Sequence, residues 1–533
     1  MRKHIVFTTA ALLMLGASVT SCSDFLSEYS QDMVVAKEVT HFDEVLLGDV
    51  YIHSSIMSYG VSPSAVGGFL NILDDDVNTG KGSSLTNQTS RAWSNAVQPC
   101  FGYFAWQLEV GMNYTGTSNV GDNVMWSDLY RRINIVNVIL DEIVDLPHET
   151  EEDDATYWRV QGEAHFLRGY FYFLLANLYG NMYTDATCAT DLCVPLKLTA
   201  YVEHDPDKDT QFQRATVKEV YDQIIFDLKK ADEYLTKSPQ VYEHMLYRAS
   251  KEAADLMLSR VYLYMQNWEE AEKWADEVIG SRNVSLARLS SLGKGKNFLT
   301  EESTEIILSQ GSNFLASDEI MTGMAGDFCV AKELYDLYDL ENDKRAETFF
   351  EVETSTDSIA LANKYGHSST RMKVSDVFTL RVAEAYLNKA EACAMQSGKE
   401  QAACDMLNDL RTERILDYVS QTYTGEELVN EIRNERRKEL CFEGQRWFDL
   451  RRYAVNKNYP YKREITHVLN VAGDNVDYLF TRLYVLKKDD YAYTFSIPKD
   501  VIEFDKVPMP DNPREEREPI EVEDDGGDVE IGE

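Results

Sequence analysis

Helical periodicity governs most of the chain. Over residues 126–140 the apolar positions Leu129, Ile133, Val136 and Leu140 fall on one stripe, the spacing of an amphipathic helix. A longer helix is expected over 155–179, with Phe166, Tyr170, Phe173 and Leu174 turned inward. Thr216, with Glu219 three residues on, opens a third helix over 217–235 as a capping box. Residues 251–266 and 267–279 form a pair in which Ser259, Ala271 and Ala275 let two helices approach closely. A second pair spans 380–395 and 399–412. Both fit a tetratricopeptide-type hairpin of about 34 residues. Either alone also fits an ordinary helical hairpin, and several degenerate units in one chain favour a solenoid-like half.

The remaining stretches have a different texture. Residues 54–122 are rich in Gly, Ser, Asn and Thr, and carry Trp93, Tyr103, Phe104, Trp106 and Tyr114. Residues 281–330 and 454–500 are mixed, with short β-like runs at 305–309 and 491–497. The fold class expected is therefore mainly α, a helical-repeat scaffold carrying an irregular, loop-rich half with few short strands. Residues 22–510 read as a single domain, with inserted loop regions near 54–122 and 281–330. Residues 511–533 hold eleven acids against Arg514 and Arg517, a composition expected to form a disordered tail.

The chain opens with Arg2 and Lys3, an apolar run over 5–15, and small residues leading to Cys22. This is a secretory signal over residues 1–21, too short to span a bilayer permanently. A cysteine at the cleavage point resembles a bacterial lipobox, with Cys22 as the lipid-modified first residue; the other reading is a plain signal peptide with an incidental cysteine.

Composition narrows the function classes. The 533 residues are 44% hydrophobic and carry a formal net charge of −38, which argues against nucleic acid, whose phosphates need clustered Lys and Arg. Eight cysteines lie at 22, 100, 188, 193, 329, 393, 404 and 441 without a C-x-x-C pair or zinc-spaced cluster. Cys188 and Cys193 are near enough to close a small disulfide loop. Neither a metal site nor any cofactor is expected. No nucleophile elbow, Walker A loop or dinucleotide fingerprint is present, so no catalytic residue is assigned.

The most charged compact segment, residues 435–453 (ERRKELCFEGQRWFDLRRY), holds six bases and four acids up to Arg452. Leu428, Ile432 and Leu440 approach it at helical spacing. The pattern predicts an ion-paired network at a helix end and its following turn, with Gly444 near that turn, rather than an active site or polyanion patch.

With the block 380–391, residues 407–411, residues 495–499 and 510–513, the aromatic helix 166–180 and the Cys22-Ser-Asp-Phe-Leu start, this segment resembles the SusD/RagB family. That family comprises lipid-anchored nutrient-binding proteins of the Bacteroidetes outer membrane. Two stretches depart from its pattern: Asn181 to Asp191 replaces a short Gly-x-Val-Pro connection, and the acidic tail runs past the usual end. The resemblance implies a surface-exposed protein, anchored in outer-membrane lipid at Cys22, that holds a glycan for a SusC-like TonB-dependent transporter and performs no catalysis. A peptide-binding member, or a protein-only interaction scaffold, are the alternatives.

Sugars offer C–H faces to aromatic rings and edge hydroxyls to polar side chains. By analogy with starch-binding members, Trp93 is the expected platform, with Asp75, Lys81, Arg91 and Asn95 as hydroxyl partners. Trp106, Tyr103 and Phe314 are second choices. A loop aromatic of this kind equally serves to pin the loop onto the scaffold, and Asp74-Asp75-Asp76 to cap a loop.

Overall fold

A computed structural model describes residues 36–522 except 53–66, 81–82, 84, 87–96, 118–123, 202–207, 239–244, 312, 316–319, 322–325, 354–357, 366–373 and 473–477. The predicted helices appear as α1 (Val124–Glu142), α2 (Glu151–Tyr179), α3 (Val217–Lys237), α4 (Lys251–Tyr264) and α5 (Trp268–Ile279). Later in the chain come α6 (Val382–Ala394), α7 (Glu400–Thr412), α8 (Gly425–Glu439) and α9 (Arg446–Ala454). The ends are set by local chemistry. Thr150, Ser250 and Asn267 accept backbone N–H groups at the starts of α2, α4 and α5. The capping box of Thr216 and Glu219 is complete at the start of α3.

The helices pack as an array, α1 on α2, α2 on α3, α3 on α4, and then hairpin α4–α5 against hairpin α6–α7 through α5 and α6. α2 and α3 approach closely. A Cβ at Gly162 would lie 2.7 Å from the Leu235 side chain, and one at Gly169 would lie 3.2 Å from Leu228. Two glycines thus let α3 press its apolar face, Val220, Ile224, Leu228 and Leu235, onto α2. Each such side chain contributes roughly 1.5–3 kcal/mol on burial. Among the described residues no helix is long and apolar enough to cross a membrane.

The strands are short and lie against the array. Antiparallel pairs join β1 (Val77–Thr79) to β3 (Phe328–Val330), β2 (Ile306–Gln310) to β6 (Phe378–Arg381), and β4 (Phe350–Glu353) to β5 (Ser358–Leu361). The hairpin β7 (Ile465–Ala472) and β8 (Tyr478–Leu486) adds β9 (Ile520–Glu521) at its edge. The strand expected at 305–309 is β2. The one expected at 491–497 is instead a 3-10 turn over Tyr491–Tyr493, begun by Asp490, whose carboxylate accepts the Ala492 N–H.

The front of the acidic segment is also different from expectation. Residues 511–522, read as disordered, are instead placed: Asn512 donates to the Tyr179 and Phe495 carbonyls, and the stretch ends in β9 against β8. Arg517 donates to the Val485 carbonyl and to Asp490, and its guanidinium lies 5.8 Å from the centre of the Trp106 ring. Its two arginines give the segment partners that its net charge conceals. Residues 523–533 lie outside the described residues. Cys188 and Cys193 are both free thiols, and burial pushes the Cys193 thiol up to about 12.

Candidate ligand-binding face

The segment 435–453 is the structural hub it was expected to be. It forms the end of α8, a turn, and α9, and its charges are almost all buried. Glu439, fully buried, meets Arg345 at 2.8 Å, Arg381 at 2.6 Å and Arg414 at 2.9 Å. Glu305 bridges Arg381 and Arg414 from β2's approach. Asp449 joins Arg436 to Arg452, and Arg452 also holds Glu391 of α6. In the turn, Phe442 and Gly444 have positive φ values of 57° and 67°, a conformation glycine adopts without strain. The Phe442 carbonyl accepts the Tyr365 hydroxyl, and the Gly444 N–H donates to Asn71.

Two arginines of this hub reach the loop-rich half. Arg446 forks onto both carboxylate oxygens of Asp75 at 2.7 and 2.8 Å. Arg437 donates to Asp76 at 2.7 Å and to the Asp75 carbonyl at 3.0 Å. Arg463 adds a further bond to Asp75 at 2.7 Å. Burial alone would raise the Asp75 carboxyl, but these arginines outweigh it and hold its pKa well below the usual carboxylate range. The ligand atoms of Asp74, Asp75 and Asp76 lie within 4.8 Å of one another, a spacing open to a cation. The arginines already meet the charge of Asp75 and Asp76, which leaves that chemistry little to gain. Asp75, expected as a hydroxyl partner, thus has its two oxygens committed to arginine and only 6% of its surface exposed.

From this anchored trio the chain passes into β1 and then residues 80–97. The near root is tied to β7: Thr79 Oγ1 donates to the Val468 carbonyl, Asn470 Nδ2 donates to the Thr79 carbonyl, and Thr86 Oγ1 accepts the Ala472 N–H. A Cβ on Gly80 would come 2.4 Å from the Gly326 carbonyl oxygen, so Gly326 approaches that root directly. The far root is buried at Val97 and Cys100. Lys81, Arg91, Trp93 and Asn95 lie outside the described residues.

The second-choice aromatics are not platforms. Trp106 is 1% exposed, donates to the Leu73 carbonyl at 2.9 Å and stacks on His467 at 4.1 Å. Tyr103 stacks on Phe69 at 4.2 Å, and Phe314 is equally buried. They fix the loop-rich half to β7 and to the core. His467, which sequence reasoning missed, sits between Phe104 and Trp106 with its ring nitrogens facing the carbonyls of Phe104 and Asp74. Only its place among apolar positions of a β-like run could have signalled this.

Comparison with known proteins fits this geometry. The SusD-like family description "Starch-binding associating with outer membrane" matches residues 62–263, and the SusD family description matches 353–506. SusD-like protein P38 of Formosa agariphila is 24% identical over 404 residues, covering 64% of this chain and 74% of its own length. A putative sugar binding protein from Bacteroides vulgatus superposes with a TM-score of 0.65 at 23% identity, covering 90% of this chain and 99% of its own. A SusD-like carbohydrate binding protein from the same species gives 0.62 at 22% identity, with 89% and 99% covered.

Proposed function

Because the chain belongs to the SusD/RagB family, we propose that it is a cell-surface glycan-binding protein that passes oligosaccharide or polysaccharide to a SusC-like TonB-dependent transporter. Trp93 is the platform, with Lys81, Arg91 and Asn95 meeting the sugar hydroxyls. The observation that supports this most is the doubly rooted 80–97 segment, tied to β7 at one end and buried at the other. Asp75 serves the same site indirectly, by holding the near root. The printed names of the solved neighbours, a sugar binding and a carbohydrate binding protein, favour glycan over peptide and binding over catalysis.

Calorimetry against a polysaccharide panel tests the reading. Trp93→Ala should weaken glycan binding at least about tenfold, as removal of a central aromatic contact does, with stability changed by less than about 0.5 kcal/mol. Unaltered binding refutes the site, retention of a peptide with indifference to every glycan favours the peptide-binding alternative, and release of shortened product refutes binding without catalysis. The same reading anchors the protein through acyl chains on Cys22. Cys22→Ala should move it from the membrane fraction to the soluble one, and continued retention refutes the anchor.

A further inference from the structure

Residues 181–191, where the sequence departs from the family pattern, form one side of a groove of about 340 Å³ against α9, Arg463 and residues 488–494. Arg451 of α9 is the buried charged member of its lining. It is the exception among the six bases of 435–452. Arg436, Arg437, Lys438, Arg446 and Arg452 each meet a carboxylate, whereas Arg451 meets none among the described residues. Its Nη2 donates to the Gly180 carbonyl at 2.7 Å and to Thr494 Oγ1 at 3.1 Å, and its buried Nη1 has no hydrogen-bond partner among the described residues. Burial without a counter-charge pushes its pKa down to about 10.

Most other charges of the lining are already engaged. Arg463 is held by Asp75 and Glu333, Lys462 pairs with Asp489, and Asp490 takes Arg517. Arg451, the exposed Lys488 and Asp191 are left, two cations against one acid in a chain of net charge −38. Beside them are the Asn181 amide, the Thr184 and Thr187 hydroxyls, and Tyr493, whose ring stacks on Trp447 at 5.0 Å. Met182, Leu450, Ala454 and Val455 complete the lining, so the groove is mixed, with hydroxyls and an unmatched guanidinium among apolar side chains.

We propose that this groove is a second saccharide subsite, selective for a sugar that carries a carboxylate. The carboxylate completes the donor fork of Arg451 and draws in Lys488, a charge-assisted pairing that a neutral sugar cannot make. The amide and hydroxyl groups take the ring hydroxyls, and Tyr493 supplies aromatic surface. The proposal does not rest on the Trp93 site.

The test is calorimetry of the full mature chain and its Trp93→Ala variant with oligogalacturonate, oligoglucuronate, their neutral counterparts and succinate. Uronate should bind at least about tenfold tighter than the neutral sugars and than succinate, and should do so equally in Trp93→Ala. Asn181→Trp, which fills the groove from an exposed position, and Lys488→Glu should abolish or weaken that binding without changing the melting temperature. Arg451 itself braces Gly180 and Thr494, so these two variants keep the test independent of folding. No preference for uronate, equal binding of succinate, or full binding by Asn181→Trp overturns the proposal.

Discussion

Glu439→Gln is expected to destabilise the protein by about 3–5 kcal/mol, the usual cost of breaking a buried ion pair from one side. The change is nearly isosteric, so the loss is electrostatic. Arg345, Arg381 and Arg414 converge on this one carboxylate within 2.9 Å, and glutamine would leave three buried guanidinium groups with fewer acids than they need. Asp336→Asn, at the exposed pair with Lys332, should cost less than about 1 kcal/mol and serves as the control. Denaturant unfolding at neutral pH measures both. Equal effects would mean that the hub adds nothing beyond surface pairing.

The same hub sets a pH signature. Burial favours the neutral form of Glu439, Glu443 and Asp449, but their arginine and lysine neighbours prevail and hold all three below the ordinary carboxylate range. Groups lowered on folding contribute stability that is fully present above their unfolded values, about 4, and is lost as pH falls further. Asp376 works in the opposite sense. Burial pushes it up to about 7, so its contribution is present in acid and lost as pH rises through neutrality. Because the Asp376 contribution is lost progressively between its unfolded value, about 4, and about 7, stability should peak near pH 4.5, and Glu439→Gln should flatten the acid limb.

Asp75→Asn should lower stability by about 3 kcal/mol or more, because Arg437, Arg446 and Arg463 all face its carboxylate. A carboxylate that served chiefly to bind sugar hydroxyls would give the reverse result, weaker binding with unchanged unfolding. Measuring both quantities on one variant separates the two roles, and an unchanged unfolding curve would return Asp75 to the ligand.

The scaffold was legible because its helices are long and periodic and their caps are local, as at Thr216 and Glu219. Charge balance within 435–452 likewise disclosed the hub. Its remote partners could not be read: nothing near Asp75 indicates that its arginine lies 371 positions later. In the loop-rich half, Trp106 and Tyr103 look the same in sequence whether they face ligand or core, and only His467 and Phe69, from distant segments, decide it. The order of residues 511–522 was hidden for a related reason, since two arginines among many acids are enough when Trp106, Val485 and Asp490 receive one of them.

The bonds from Arg437 and Arg446 to the aspartate trio have a consequence for how the chain comes into being. The segments matched by the two family descriptions are not independent modules, because the buried acids at 75–76 of the first are met by the arginines at 437 and 446 of the second. A chain emerging N-terminus first cannot bury these aspartates against Arg437 and Arg446 until its last hundred or so residues appear. Completion of the loop-rich half is thereby timed to the end of synthesis or export, and a chain truncated before α9 is left without the bond that closes it.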